Sequence, residues 1–235
     1  MHISSATFLC SAPNLEACPD ESLPEFAFIG RSNVGKSSLL NVLAGEQGLA
    51  RVSPTPGFTK LINIFTINQC WRLVDLPGYG FAAGSRKDSN RFNRSVAQYL
   101  KGRTNLSLVF ALIESAVPPQ PIDIEFIEWL TLNEVPFVLV FTKMDKAPKP
   151  QVDANIAAFM ERISQWYAQP PAHFQCSAQT GAGRQDLLGV VDEILDAIHA
   201  QTEAAREIPA APWDVNPQAR PAKTRKRGPD LHRPW

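Results

Sequence analysis

Gly30-Arg31-Ser32-Asn33-Val34-Gly35-Lys36-Ser37 fits the pattern G-x-x-x-x-G-K-[ST], and its flanks supply the context that such a loop needs. The apolar run Phe26-Ala27-Phe28-Ile29 leads in as a strand, and Ser38-Leu39-Leu40-Asn41-Val42-Leu43 leads out with helical spacing. In that order the three pieces form an anion cradle. Gly30 and Gly35 admit backbone conformations that a β-carbon obstructs, so successive N–H groups turn inward at a helix N-terminus. Lys36 then reaches the β- and γ-phosphates, and the Ser37 hydroxyl ligates Mg²⁺. Nucleotide phosphate is the first expectation.

The base is indicated further along. Asp75-Leu76-Pro77-Gly78 follows an apolar run, so Asp75 is expected at a strand end, holding Mg²⁺ through water, with the Gly78 N–H on the γ-phosphate. Thr142-Lys143-Met144-Asp145 follows the strongly apolar 135–141. There the Asp145 carboxylate can accept two hydrogen bonds from the N1–H and N2–H₂ edge of guanine. Adenine lacks that donor pair and would leave the carboxylate unpaired, which rejects it. The Lys143 stem is expected along the ring, and Cys176-Ser177-Ala178, ending a short strand, offers a backbone N–H to the guanine O6.

Between these lies Ser53-Pro54-Thr55-Pro56-Gly57-Phe58-Thr59, too irregular for helix or strand. It reads as a first switch, with Thr59 as a second side-chain ligand to Mg²⁺ while the γ-phosphate is present. The Gly- and Ala-rich stretch 79–87 suits a second switch.

Taken together, Gly30 to Ser38, Pro56-Gly57-x-Thr59, Asp75-Leu-Pro-Gly-Tyr-Gly80, Thr142-Lys-x-Asp145 and Ser177-Ala178 resemble the EngB (YihA/YsxC) family of bacterial GTPases over about residues 3 to 200. The resemblance implies a P-loop GTPase that assists assembly of the large ribosomal subunit and is needed for normal cell division and septation. It implies a nucleotide-contacting set of Gly30, Arg31, Ser32, Asn33, Val34, Gly35, Lys36, Ser37 and Ser38; then Gly57, Phe58, Thr59, Lys60 and Leu61; Asp75, Leu76, Pro77 and Gly78; Thr142, Lys143, Met144 and Asp145; and Cys176, Ser177 and Ala178. Within it Lys36, Asn33, Thr59 and Gly78 carry the catalytic expectation.

Three residues depart from the Ras-like pattern. Tyr79 stands where a glutamine orients the attacking water, and a phenol does that poorly, so slow intrinsic hydrolysis is expected, accelerated by a partner or a cation. Asn33 matches a residue that related GTPases use to hold K⁺ against the phosphates; the other reading is that it only braces the loop. Thr142 replaces an asparagine whose amide links base and phosphate loop, so micromolar affinity, on the order of −8 kcal/mol, and fast nucleotide exchange are expected.

Apolar runs at 26–29, 60–67, 70–74, 106–113, 135–141 and 172–176 alternate with helical patterns at 36–44, 90–100, 122–132, 152–167 and 184–200. That alternation argues an α/β fold: a doubly wound, mostly parallel sheet of six to seven strands, with helices on both faces and the motifs at its carboxyl edge. Thr7-Phe8-Leu9 is a candidate edge strand within an N-terminal segment, 1–22, ahead of a GTPase domain at 23–203. At 235 residues and 44% hydrophobic the chain has room for one substantial core.

The four cysteines form no C-x-x-C pair, the chain opens without a basic and apolar leader, and no apolar run approaches the roughly 20 residues that span a bilayer. A cytoplasmic monomer without a membrane span is the expectation. The net charge is zero, yet residues 204–235 hold seven Arg or Lys against three acids, a surplus of +4 balanced by −4 on the rest. Six prolines there argue against regular helix and for an extended basic arm, with Trp213 and Trp235 as stacking groups for rRNA; a solvated linker is the alternative. Two further readings compete with the switch: a metabolic P-loop kinase, disfavoured by the guanine motif, and a guanine-nucleotide scaffold at the division site with vestigial hydrolysis.

Overall fold

The computed structural model describes residues 1–46, 48–50, 61–79 and 86–207, with side chains described at all of these except 86–93 and 204–207. Seven strands form one sheet: β1 (Ala6–Ala12), β2 (Glu25–Gly30), β3 (Ile62–Ile67), β4 (Trp71–Asp75), β5 (Leu106–Glu114), β6 (Phe137–Thr142) and β7 (His173–Gln175). Their order is β1-β3-β4-β2-β5-β6-β7. β4, β2, β5, β6 and β7 run parallel, while β3 pairs antiparallel with both β4 and β1. The antiparallel edge follows from chain length. Only residues 68–70 separate β3 from β4, enough for a hairpin but too few for a parallel crossover.

Among the described residues, α1 (Lys36–Ala44), α2 (Arg86–Gly102), α3 (Pro121–Leu132) and α4 (Lys149–Ser164) lie between strands, and α5 (Arg184–Glu207) follows β7. Side chains alternate along each buried strand and so divide the core in two. Ala27, Ile29, Val109, Ala111, Ile113, Leu139 and Phe141 face α2, α3 and α4. Phe26, Phe28, Leu108, Phe110, Leu112, Val138 and Val140 face α1 and α5. With apolar side chains on both faces, β2, β5 and β6 read as continuous hydrophobic runs, as central parallel strands must.

At the end of β2 where the chain enters the sheet, Glu25 is fully buried. Its carboxylate accepts hydrogen bonds from Arg103 Nε (2.9 Å) and Nη2 (2.6 Å), from Tyr99 Oη (2.5 Å) and from Arg72 Nη1 (3.3 Å). Burial alone would push the Glu25 pKa up, but the Arg103 and Tyr99 hydrogen bonds outweigh it and hold the group below its ordinary value. The cluster fastens the last turn of α2 to β2 and β4, so the end of that helix far from the loop at 30–37 is fixed.

Several helix boundaries differ from the sequence pattern, α2 among them, which starts at Arg86 and not at Asn90. α4 starts three residues before Val152, because Pro150 suits a first helical turn, and it ends at Ser164, with Trp166 and Tyr167 in the turn beyond. α5 continues to Glu207, so the segment from 204 begins in helix and not as extended chain. The arm at 208–235, the first-switch residues Gly57, Phe58, Thr59 and Lys60, and the second-switch stretch 80–85 lie outside the described residues.

Candidate functional site

Glycine geometry shapes the loop between β2 and α1. Gly35 caps α1 with φ +101°, and Asn33 is left-handed at +66°. A β-carbon on Gly78 would stand 2.8 Å from the Gly30 carbonyl oxygen, so the chain after β4 lies directly against this loop. Lys36 opens α1 and Asp75 closes β4. Their side chains, 8% and 3% exposed, form an ion pair, which sets both charges at one spot in the mouth of the loop. Asn63 Nδ2 donates to the other Asp75 oxygen at 3.3 Å, and Ser11 Oγ donates to Asn63 Oδ1 at 2.7 Å. The carboxylate is thus oriented from the neighbouring strand. Asn63 has only a faint signal in the sequence, a lone amide in an apolar run.

Beside the loop opens a cavity of about 190 Å³ lined in part by Gly35, Thr142, Lys143, Asp145, Cys176 and Ala178. Ser177 Oγ donates to Asp145 Oδ1 at 2.6 Å and accepts the Thr180 N–H at 3.1 Å. The Ser177 bond pulls the Asp145 pKa below its ordinary value, so the group is a carboxylate at neutral pH. The Cys176 and Ser177 amides donate to the Phe141 and Ala182 carbonyls, which leaves the Ala178 N–H as the one of that triplet without a partner among the described residues. The Lys143 stem passes over Gly35, and its ammonium is 2.9 Å from Glu114 Oε1.

Thr142 differs from its expected effect. Its hydroxyl donates to the Val34 carbonyl at 2.6 Å, so the tie between base strand and phosphate loop is present, made by a hydroxyl where an amide was expected to be needed. Tyr79 differs as well. Its ring is buried against Phe126 (centroids 4.4 Å apart), and its hydroxyl donates to Asp123 Oδ1 at 2.9 Å. The phenol belongs to the core beside α3 and faces no attacking water. Burial above all, and the Asp123 charge, push its pKa well up, so it remains a donor.

The structure therefore gathers Gly30 to Ser38, Asp75 to Gly78, Thr142 to Asp145 and Cys176 to Ala178 at the carboxyl edge of the sheet, with Leu61 just ahead of β3. Glu114 and Asp123 are the residues that the motifs missed. Each is polar at the end of an apolar run or on a helix face turned inward, and nothing in its spacing tells which loop it meets.

The family described as 50S ribosome-binding GTPase matches residues 25–143. A protein of Phocaeicola vulgatus named probable GTP-binding protein EngB is 44% identical over 200 residues, covering 85% of this chain and all of that protein. One of Christiangramia forsetii with the same name is 43% identical, covering 84% of this chain and all of that protein. Among solved structures, a probable GTP-binding protein EngB superposes with TM-score 0.57 at 21% identity, covering 74% of this chain and 99% of that one. Era in complex with MgGDPNP and a stretch of 16S ribosomal RNA gives 0.55 at 23% identity, covering 74% and 56%. At those identities the two structures bear on the fold alone.

Proposed function

The chain belongs to the EngB family of GTP-binding proteins, and from that premise we propose that it hydrolyses GTP to GDP as a conformational switch acting on a precursor of the large ribosomal subunit. The observation that carries the nucleotide reading is the Asp145 carboxylate, oriented by Ser177 at a cavity that shares Gly35 with the phosphate loop. A guanine there would meet two acceptor oxygens on Asp145 and the Ala178 N–H, with its ring along the Lys143 stem.

Oxygen donors from Ser37 and Asp75 suit Mg²⁺, a hard cation that takes one or two carboxylates together with substrate phosphates, and Thr59 would complete the set when the γ-phosphate is present. When bound, the ion would neutralise charge developing on the phosphates. Lys36 holds the β- and γ-phosphates as a point charge, and the Gly78 N–H meets the γ-phosphate. The Asn33 side chain is exposed in the loop, where it would hold K⁺ against the phosphates. The description of the matching family, 50S ribosome-binding GTPase, supports the ribosomal target. The basic arm at 208–235 would add phosphate contacts on rRNA. A role in division and septation comes to this chain only through the family; a cytoplasmic monomer is the accompanying reading.

Phosphate release from Mg²⁺–GTP by the full-length chain tests the hydrolytic part. Slow turnover is expected, faster in K⁺ than in Na⁺ at equal ionic strength. Equal rates in the two salts remove the K⁺ reading. Tight GTP binding with no release in either salt leaves the guanine-nucleotide scaffold.

A further inference from the structure

Residues 78 and 79 connect the end of β4 to the second switch, and two independent ties hold them. The Ser32 N–H donates to the Tyr79 carbonyl at 3.2 Å, pairing Tyr79 with Arg31 as an isolated parallel bridge to the phosphate loop. On the other side of the backbone the Tyr79 hydroxyl donates to Asp123 Oδ1 at 2.9 Å. Asp123, 2% exposed, is itself held from the phosphate loop: its second oxygen is 3.5 Å from Arg31 Nε, and the Arg31 Nη2 is 3.9 Å from Glu114. Among the described residues Arg31 Nε has no closer partner.

We propose that Asp123 is a positioning residue for the γ-phosphate: through the Tyr79 hydroxyl it pins the start of the second switch to the phosphate loop, so that the Gly78 N–H is already placed when GTP arrives. The proposal rests on the GTP reading above and goes beyond it by giving a role to two residues that touch no part of the nucleotide. A hydroxyl on a carboxylate is a charge-assisted bond, and in a buried site it is strong enough to fix a backbone segment. Loop amides would cradle the α- and β-phosphates, whereas the Gly78 N–H would serve only the γ-phosphate. Loss of the pin should therefore be felt by GTP and not by GDP. Simple core packing by Tyr79 would show no such asymmetry.

Tyr79→Phe keeps the ring against Phe126 and removes the bond; Asp123→Asn keeps an acceptor for the phenol. With the full-length chain and Mg²⁺, affinities for GDP and for the β,γ-imido analogue of GTP are measured by calorimetry, alongside thermal unfolding. Tyr79→Phe is expected to weaken the GTP analogue about tenfold relative to GDP, with GDP affinity held, and Asp123→Asn, which keeps an acceptor but loses the charge, to fall between the wild type and Tyr79→Phe. An equal fall for both nucleotides, or no change in their ratio, overturns the proposal. If the wild-type chain binds neither nucleotide, the GTP reading itself fails and takes the proposal with it.

Discussion

Asp145→Asn is expected to exchange guanine for xanthine preference, lowering GDP affinity about 100-fold while xanthosine diphosphate binds well. The reason is donor and acceptor count. As a carboxylate Asp145 offers acceptors only, which match the N1–H and N2–H₂ of guanine. An asparagine presents one acceptor and one donor, and xanthine carries a carbonyl where guanine carries its amine, so the altered side chain fits it. Ser177 should still hold Oδ1 of the asparagine, because that bond at 2.6 Å needs only an acceptor there. Equilibrium titration of both diphosphates against both proteins reads the exchange directly. Retained guanine preference would mean that the base pocket lies elsewhere.

The second large effect is expected at Lys36. Lys36→Ala should reduce single-turnover GTP hydrolysis about 10²–10³-fold, the usual cost of losing one preorganised charge donor at a site of developing negative charge. The same change removes the ion-pair partner of Asp75, which is 2% exposed and among the described residues otherwise holds the Asn63 contact at 3.3 Å. An uncompensated buried carboxylate costs about 3 kcal/mol or more, so the apparent melting temperature should fall as well. Hydrolysis at the wild-type rate would show that Lys36 does not face the transferred phosphate.

What could be read in the sequence was whatever is local. The loop at 30–37 is legible because strand, glycine spacing and helix start are contiguous, and Asp145 because a carboxylate three residues past the end of an apolar strand has a defined place. Less legible is anything decided by which strands become neighbours. β4 and β5 flank β2 in the sheet although they are far from each other in the chain, and that adjacency brings Tyr79, Asp123, Arg31 and Glu114 together. The Thr142 substitution looked like a lost link because side-chain type was compared without geometry; the Val34 carbonyl, brought within 2.6 Å by the chain path after Asn33, accepts the hydroxyl. Tyr79 likewise looked like an inferior water-orienting group, when its direction is set by α3 packing on β5.

Co-sedimentation of the full-length chain with large-subunit precursors at fixed salt, in a non-hydrolysable GTP analogue and in GDP, tests the switch most directly. Stronger pelleting with the GTP analogue is expected, because contacts of Thr59 and Gly78 with the γ-phosphate would favour one arrangement of the switch segments. Equal pelleting in the two states would contradict it and leave only the salt-dependent attraction of the basic arm.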